Sequence, residues 1–191
     1  LDNLTTLPLL SINGFQDRFG INLNHQTILV TVNPETVNSQ KNGENAEEVA
    51  NALLELKEYQ VLITLPNADT FGSLIRNRFL DLPGETDKRI HCFENLGSQG
   101  YFTAMKYCSF LLGNTSSGII EAASFGKLVI NLGNRQEGRE QSQNIYNVPF
   151  NKTLILQLVE QIKNKPVYTG ENIYYKGNVA KNLCSILKTI L

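Results

Sequence analysis

Apolar residues in this chain come in short unbroken runs separated by polar, glycine-rich stretches. "TILVTVNP" (27 to 34) is a β-branched run closed by a proline, and "EYQVLITLPN" (58 to 67) is a second of the same kind. Runs without alternation predict strands buried on both faces. Between them, "AEEVANALLELKEY" from Ala46 sets Val49, Leu53, Leu54 and Leu56 near one helical face, which completes a βαβ unit. The pattern then repeats. Helices are expected in "TFGSLIRNRFLDL", "SQGYFTAMKY", "SGIIEAASFG" and "KTLILQLVEQIKN", and strands in "RIHCFEN", "CSFLLGN", "LVINLGN" and "NIYNVPF". Six strands alternating with helices predict an α/β fold, a doubly wound parallel sheet of the Rossmann-like kind. The closing stretch, about 178 to 191, carries an apolar stripe at Val179, Leu183, Ile186, Leu187 and Ile190, and reads as a helix packed on something.

Such sheets bind ligands outside the carboxyl ends of their strands. Five loops fall at that edge: 33–34, 66–69, 94–97, 113–118 and "GNRQEGRE" at 133–140. Polar residues and glycines concentrate there, while the rest of each unit is apolar.

Composition narrows the partners. At 191 residues and 41% hydrophobic, the chain can bury a real core. Its 17 Lys plus Arg nearly cancel its 18 Asp plus Glu, so no bulk field draws it to nucleic acid or an anionic membrane, and any anion site must be local. Cys92, Cys108 and Cys184 are an odd number without CxxC spacing and sit in apolar stretches, which predicts buried reduced thiols and no metal site. With no signal peptide or spanning apolar run, the expected compartment is the cytoplasm.

"GNTSSGIIEAASFGK" (113 to 127) follows a strand and opens a helix. It has no phosphate-loop lysine, since Ile119 follows Gly118, no Gly-x-Ser-x-Gly frame, and no Gly-x-Gly-x-x-Gly follows the first strand. What remains is a helix start with free N–H groups, where Thr115 and Ser116 can donate to phosphate oxygens. Glu121, one turn further, can accept the paired hydroxyls of a ribose. The competing reading is a plain helix cap, with Ser116 or Ser117 capping, and the two stand about even from this stretch. Arg135 and Arg139, in a glycine loop at the same edge, can pair with phosphate or with Glu137 and Glu140.

"GNTSSGIIEAASFGKLVINLGNRQEGRE" resembles the nucleotide-binding stretch of the hydrolysing UDP-N-acetylglucosamine 2-epimerases, which runs Gly-Asn-Ser-Ser-x-Gly, a Glu, then Val-Ile-Asn-Leu-Gly-x-Arg-Gln-x-Gly-Arg. "ILVTVNPET", "LPNADTFGS" and "YYKGNVAKNLCSILK" are similar to further family segments, so the resemblance covers the whole chain. It implies the C-terminal, UDP-binding half of a GT-B-like two-domain protein, residues 1–191, whose N-terminal domain is absent here. It also implies UDP or a UDP-N-acetylhexosamine as ligand, no cofactor, and a possible homo-oligomer of the longer protein. By the resemblance, Thr115 and Ser116 hold the diphosphate, Glu121 the ribose, Leu96 lines the uracil pocket and Arg135 assists. Asn67 and Asp69 face the cleft. The implied reaction eliminates UDP by loss of the C2 proton and hydrates the resulting 2-acetamidoglucal, with the carboxylates supplied by the other half. Asn33 stands where the family has a catalytic-site His, and an amide cannot exchange a proton near neutral pH. His25 and His91 are expected to be structural. A non-catalytic UDP-sugar-binding or regulatory module and a GT-B glycosyltransferase domain are the alternatives.

Overall fold

The computed structural model describes residues 1, 4, 6–35, 39–67, 72–82, 88–177 and 179–190. Six parallel strands, β1 (Thr27–Thr31), β2 (Gln60–Thr64), β3 (Ile90–Phe93), β4 (Phe110–Gly113), β5 (Val129–Leu132) and β6 (Ile145–Val148), form one sheet. Their order is β3-β2-β1-β4-β5-β6. The expected doubly wound, Rossmann-like sheet is the one observed. Because the order runs outward in one direction from β1 and in the other from β4, the topological switch point lies between those two strands.

The described residues include seven α-helices: α1 (Ile12–Phe19), α2 (Asn42–Glu55), α3 (Ser73–Leu80), α4 (Gly97–Tyr107), α5 (Ser116–Ile120), α6 (Lys152–Ile162) and α7 (Val179–Ile190). The period-2 geometry of a strand explains why its runs are wholly apolar. Ile28 and Val30 of β1 join a core with Val49 and Leu53 of α2, Phe79 of α3 and Ile155 and Val159 of α6. Leu29, between them, points to the opposite core with Phe15 of α1 and Phe102 and Met105 of α4. Arg89 ties the layers together at the opposite edge, donating to the carbonyls of Leu53, Leu54, Leu56 and Tyr59 and so closing the C-terminal end of α2.

Several boundaries differ from the sequence reading. Helix α1 is additional; Ser11 accepts from the Gly14 N–H at 3.0 Å at its start, and Gly20, at φ 73°, ends it. The expected helix over 117–126 is broken. After α5 the chain tightens into a 3₁₀ turn over Ala122–Phe125, with Glu121 at the joint. At this joint Asn172 Nδ2 donates to the Ile120 carbonyl at 2.9 Å. A continued α-helix would send the Ser124 N–H to that same carbonyl; here it goes to Glu121 O, at 2.9 Å.

The C-terminal stripe is not packed as expected: Val179, Leu183, Ile186 and Leu187 are each at least 50% exposed. The thiols divide as well. Cys108 is buried and its pKa is pushed up to about 12, chiefly by that burial, and burial of Cys92 raises it to about 11. Both therefore stay protonated near pH 7. Cys184, expected to be buried, is exposed on α7, where the helix offers it no neighbouring layer. Among the described residues, no helix is long and apolar enough to cross a membrane.

Candidate functional site

The loops after β1, β4 and β5 meet at the switch point, and one buried side chain joins them. Asn114, fully buried, accepts the Asn33 N–H on its Oδ1 at 2.7 Å and donates through Nδ2 to the Asn33 carbonyl at 2.8 Å. Its own carbonyl accepts from Gln136 Nε2 at 2.8 Å and from Arg135 Nη1 at 3.2 Å. A primary amide suits this place because it donates and accepts across one plane, as a backbone pair does. Asn42 repeats the device two residues along, accepting from the Glu35 N–H at 3.0 Å and donating to the Glu35 carbonyl at 3.2 Å. Residues 33–35 are therefore held at both ends by buried asparagines.

Close approach of β1 and β4 is what lets these loops touch. Gly113 has φ 143°, and a Cβ there would lie 1.9 Å from the Thr31 carbonyl oxygen. A side chain at this position would push the strands apart.

Thr115 is the N-cap of α5, accepting from the Ser117 N–H at 3.3 Å. The cap is thus Thr115, not Ser116 or Ser117 as one reading had it, because only Thr115 has the extended backbone a cap requires. Capping and anion binding are compatible here. The bond to Ser117 uses a lone pair of Thr115 and leaves its hydroxyl hydrogen to donate outward. Ser116, half-buried, is the first residue of the helix.

Behind the helix start, a chain of hydroxyls crosses the sheet edge. Thr64 and Thr31 Oγ1 lie 2.6 Å apart, and Thr31 Oγ1 lies 3.4 Å from the Tyr101 hydroxyl. Ser117 lies with Tyr101 in one cavity wall, and the Glu121 N–H donates to the Ser117 carbonyl at 3.0 Å. Burial raises the Glu121 pKa above its ordinary 4.5, opposed by the nearby Ser117 hydroxyl. Burial likewise raises that of Tyr101. A cavity of about 240 Å³ opens beside this chain, lined by Thr64, Leu96, Tyr101, Phe102 and Ser117, with Glu94 at its wall. Arg76 forms a two-pronged ion pair with Glu94, one bond at 2.7 Å, which holds that carboxyl below its usual range and offsets its charge at the cavity.

A second cavity, about 430 Å³, lies at the same sheet edge beyond β5 and β6, lined by Glu35, Lys41, Asn134, Asn147 and Phe150. Other clefts, lined by His25, Lys57, Lys88 and Arg89 or by Lys127, Lys163 and Lys165, open at the amino ends of the strands, where doubly wound sheets do not place ligands.

The structure thus brings Asn33 and Arg135 onto Asn114, with Thr115 and Ser116 next in the chain, and sets Leu96 in one cavity wall with Tyr101 and with Ser117, which lies one helical turn before Glu121. Asn67 is exposed past the end of β2, and Asp69 lies outside the described residues. Arg135 contacts a backbone carbonyl, where a surface pair with Glu137 or Glu140 was the alternative. Sequence reading missed Asn114, Gln136, Asn42 and Tyr101 as site residues. Asn114 and Gln136 sit inside the quoted motifs, but their partners are 81 and 22 residues away.

Comparison with known proteins bears on what such a site holds. The family model described as UDP-N-acetylglucosamine 2-epimerase matches residues 1–188. A Legionella pneumophila protein named UDP-N,N'-diacetylbacillosamine 2-epimerase (hydrolyzing) is 30% identical over 190 residues, covering 100% of this chain and 50% of that protein. A Campylobacter jejuni protein named GDP/UDP-N,N'-diacetylbacillosamine 2-epimerase (hydrolyzing) is 32% identical over 162 residues, 85% of this chain and 42% of its own. The chain spans about half the length of the curated relatives it matches. In fold, it superposes with TM-score 0.77 on the Neisseria meningitidis UDP-GlcNAc 2-epimerase solved with UDP-GlcNAc, at 20% identity, over 98% of this chain and 52% of that one.

Proposed function

The chain belongs to the UDP-N-acetylglucosamine 2-epimerase family, and from that premise we propose that it is the half of a hydrolysing 2-epimerase that holds the UDP of a UDP-2-acetamido sugar. The single observation that carries this reading is the meeting of the β1, β4 and β5 loops on Asn114, at the switch point of the sheet. In this reading the cavity beside Leu96 takes the uracil, and the Glu121 carboxylate accepts the ribose hydroxyls. The hydroxyls of Thr115 and Ser116, the first N–H groups of α5 and the Arg135 guanidinium receive the diphosphate.

The reaction proposed for the two-domain protein removes the sugar's C2 proton and breaks the C1–O bond. UDP leaves, and water adds to the 2-acetamidoglucal to give the free 2-epimer. Charge develops on the departing diphosphate, so donors already aimed at it lower the barrier. This half holds the leaving group, while the base comes from the N-terminal half, and the isolated chain is expected to release no free sugar. The names of the Legionella and Campylobacter relatives support a diacetamido sugar as one substrate and the family description supports N-acetylglucosamine as the other. A UDP-sugar substrate and reduced thiols at Cys92 and Cys108 support a cytoplasmic site of action. Asn33 favours a second reading, a UDP-sugar-binding module without turnover, because the amide cannot carry a proton.

The ribose assignment is tested by Glu121→Ala. UDP should bind about ten- to a hundredfold more weakly, the worth of a charged hydrogen bond, while 2′,3′-dideoxy-UDP binds as before. Equal weakening of both ligands would make Glu121 a structural residue. Protonation gives an independent check. Burial makes the folded chain hold the Glu121 proton more tightly than the unfolded chain does. The buried charge therefore costs stability at neutral pH, and that cost is relieved as pH falls through the raised pKa. UDP affinity should move the other way, declining as acid neutralises the acceptor, and Glu121→Ala should flatten that decline.

A further inference from the structure

Glu121 stands where α5 stops and the 3₁₀ turn begins, and a residue far downstream is bonded to that joint. Asn172 is buried at 7% exposure and reaches back with Nδ2 to the Ile120 carbonyl at 2.9 Å and to Ser124 Oγ at 2.7 Å. Its Oδ1 accepts the Tyr174 N–H at 3.0 Å, so each polar atom of the amide is engaged. The segment carrying it is anchored on both flanks. The Tyr168 N–H donates to the Gly126 carbonyl at 3.0 Å, the Ile173 N–H to Ser142 Oγ at 3.2 Å, and the Tyr174 hydroxyl to the Glu140 carbonyl at 2.7 Å. Residues 168–174 therefore form a strap from the end of the 3₁₀ turn to the loop that follows Arg135.

The consequence for Glu121 is geometric. An α-helix turns about 100° per residue and a 3₁₀ helix about 120°, so where one gives way to the other decides the direction of side chains at the joint. The Ile120 carbonyl accepts from Asn172, the Ser124 N–H goes to Glu121 O, and the joint falls on Glu121. One turn back, the Glu121 N–H donates to the Ser117 carbonyl at 3.0 Å, which fixes the main chain on that side. We propose that Asn172 is a positioning residue for the nucleotide site, aiming the Glu121 carboxylate at the ribose and so setting the preference for a ligand with a free 2′,3′-diol. The proposal rests on the ribose reading of Glu121.

Calorimetric titration of the 191-residue chain with UDP and with 2′,3′-dideoxy-UDP reads the ribose preference as the ratio of the two affinities. Wild type, Glu121→Ala and Asn172→Ala are compared, with thermal melts to establish folding. The expected result is that Asn172→Ala loses most of the roughly ten- to hundredfold preference that Glu121→Ala also removes, while its affinity for 2′,3′-dideoxy-UDP stays within about twofold of wild type. A general loss of structure would weaken both ligands alike and would overturn the proposal. A wild-type ratio in Asn172→Ala, with the ratio lost in Glu121→Ala, would overturn it too and leave the ribose reading standing. An unchanged ratio in Glu121→Ala would remove the ribose reading and the proposal together. If Asn172→Ala does not fold, Asn172→Asp is measured in its place. It keeps the acceptor for Tyr174 and lacks the donor to Ile120, so the same loss of preference is expected, and a retained preference would contradict the positioning role.

Discussion

In the two-domain protein of which this chain is proposed to be half, Asn33→His is expected to raise turnover of UDP-N-acetylglucosamine by about 10²- to 10⁴-fold, the usual contribution of a general acid or base. The main chain of residue 33 is fixed from both sides by the Asn114 amide, at 2.7 and 2.8 Å. A His placed there inherits that address, and its imidazole would stand at the switch point, able to hold or give up a proton near neutral pH. UDP affinity should barely move, because the proposed nucleotide contacts lie on the loops after β3, β4 and β5. Release of UDP and of the free sugar, followed in both proteins, checks this. Full activity with Asn33 and no gain with His would mean that proton transfer runs through the other half alone.

The second large effect is on stability. Gly113→Ala puts a methyl group 1.9 Å from the Thr31 carbonyl oxygen on a backbone with φ 143°. The nearest atom is main chain of the neighbouring strand, so no side-chain rotation relieves the clash. Overpacking and backbone strain together are expected to cost at least about 3 kcal/mol. For a chain of this length that lowers the melting temperature by roughly 6 to 12 °C. Because Asn114 follows directly, the clamp on residue 33 and the contacts to Arg135 and Gln136 should loosen with it. A melting temperature unchanged within about two degrees would show that β1 and β4 tolerate a wider separation than their pairing implies.

Why the strands were legible and parts of the site were not follows from the range of the forces involved. Runs such as 27–31 declare themselves because both faces of a central strand are buried, as Ile28, Leu29 and Val30 show by dividing between the two cores. The placement of Thr115 and Arg135 at the carboxyl edge of the sheet was legible from the order of strands and loops alone. Helix α1 was passed over although Ser11 and Gly20 mark its ends, since its apolar face is narrow and Phe15 alone is fully buried. The asparagines were hidden for a different reason. Asn114, Asn42 and Asn172 look like ordinary loop residues in one dimension, and they acquire their roles only from backbone groups brought to them by folding. The same holds for the Ile120 carbonyl at the break, whose side-chain partner lies 52 residues further on. The exposed stripe of α7 shows the converse limit: amphipathic spacing predicts a helix well but does not say what the apolar side meets.

The most direct measurement is a calorimetric titration of the 191-residue chain with UDP, wild type beside Arg135→Ala. Saturable binding to one site is expected, weakened about ten- to a hundredfold when the guanidinium is lost, as for a charged hydrogen bond to phosphate. A folded wild-type chain that binds no UDP, or an Arg135→Ala variant that binds it equally well, would contradict a nucleotide site built from the β4 and β5 loops.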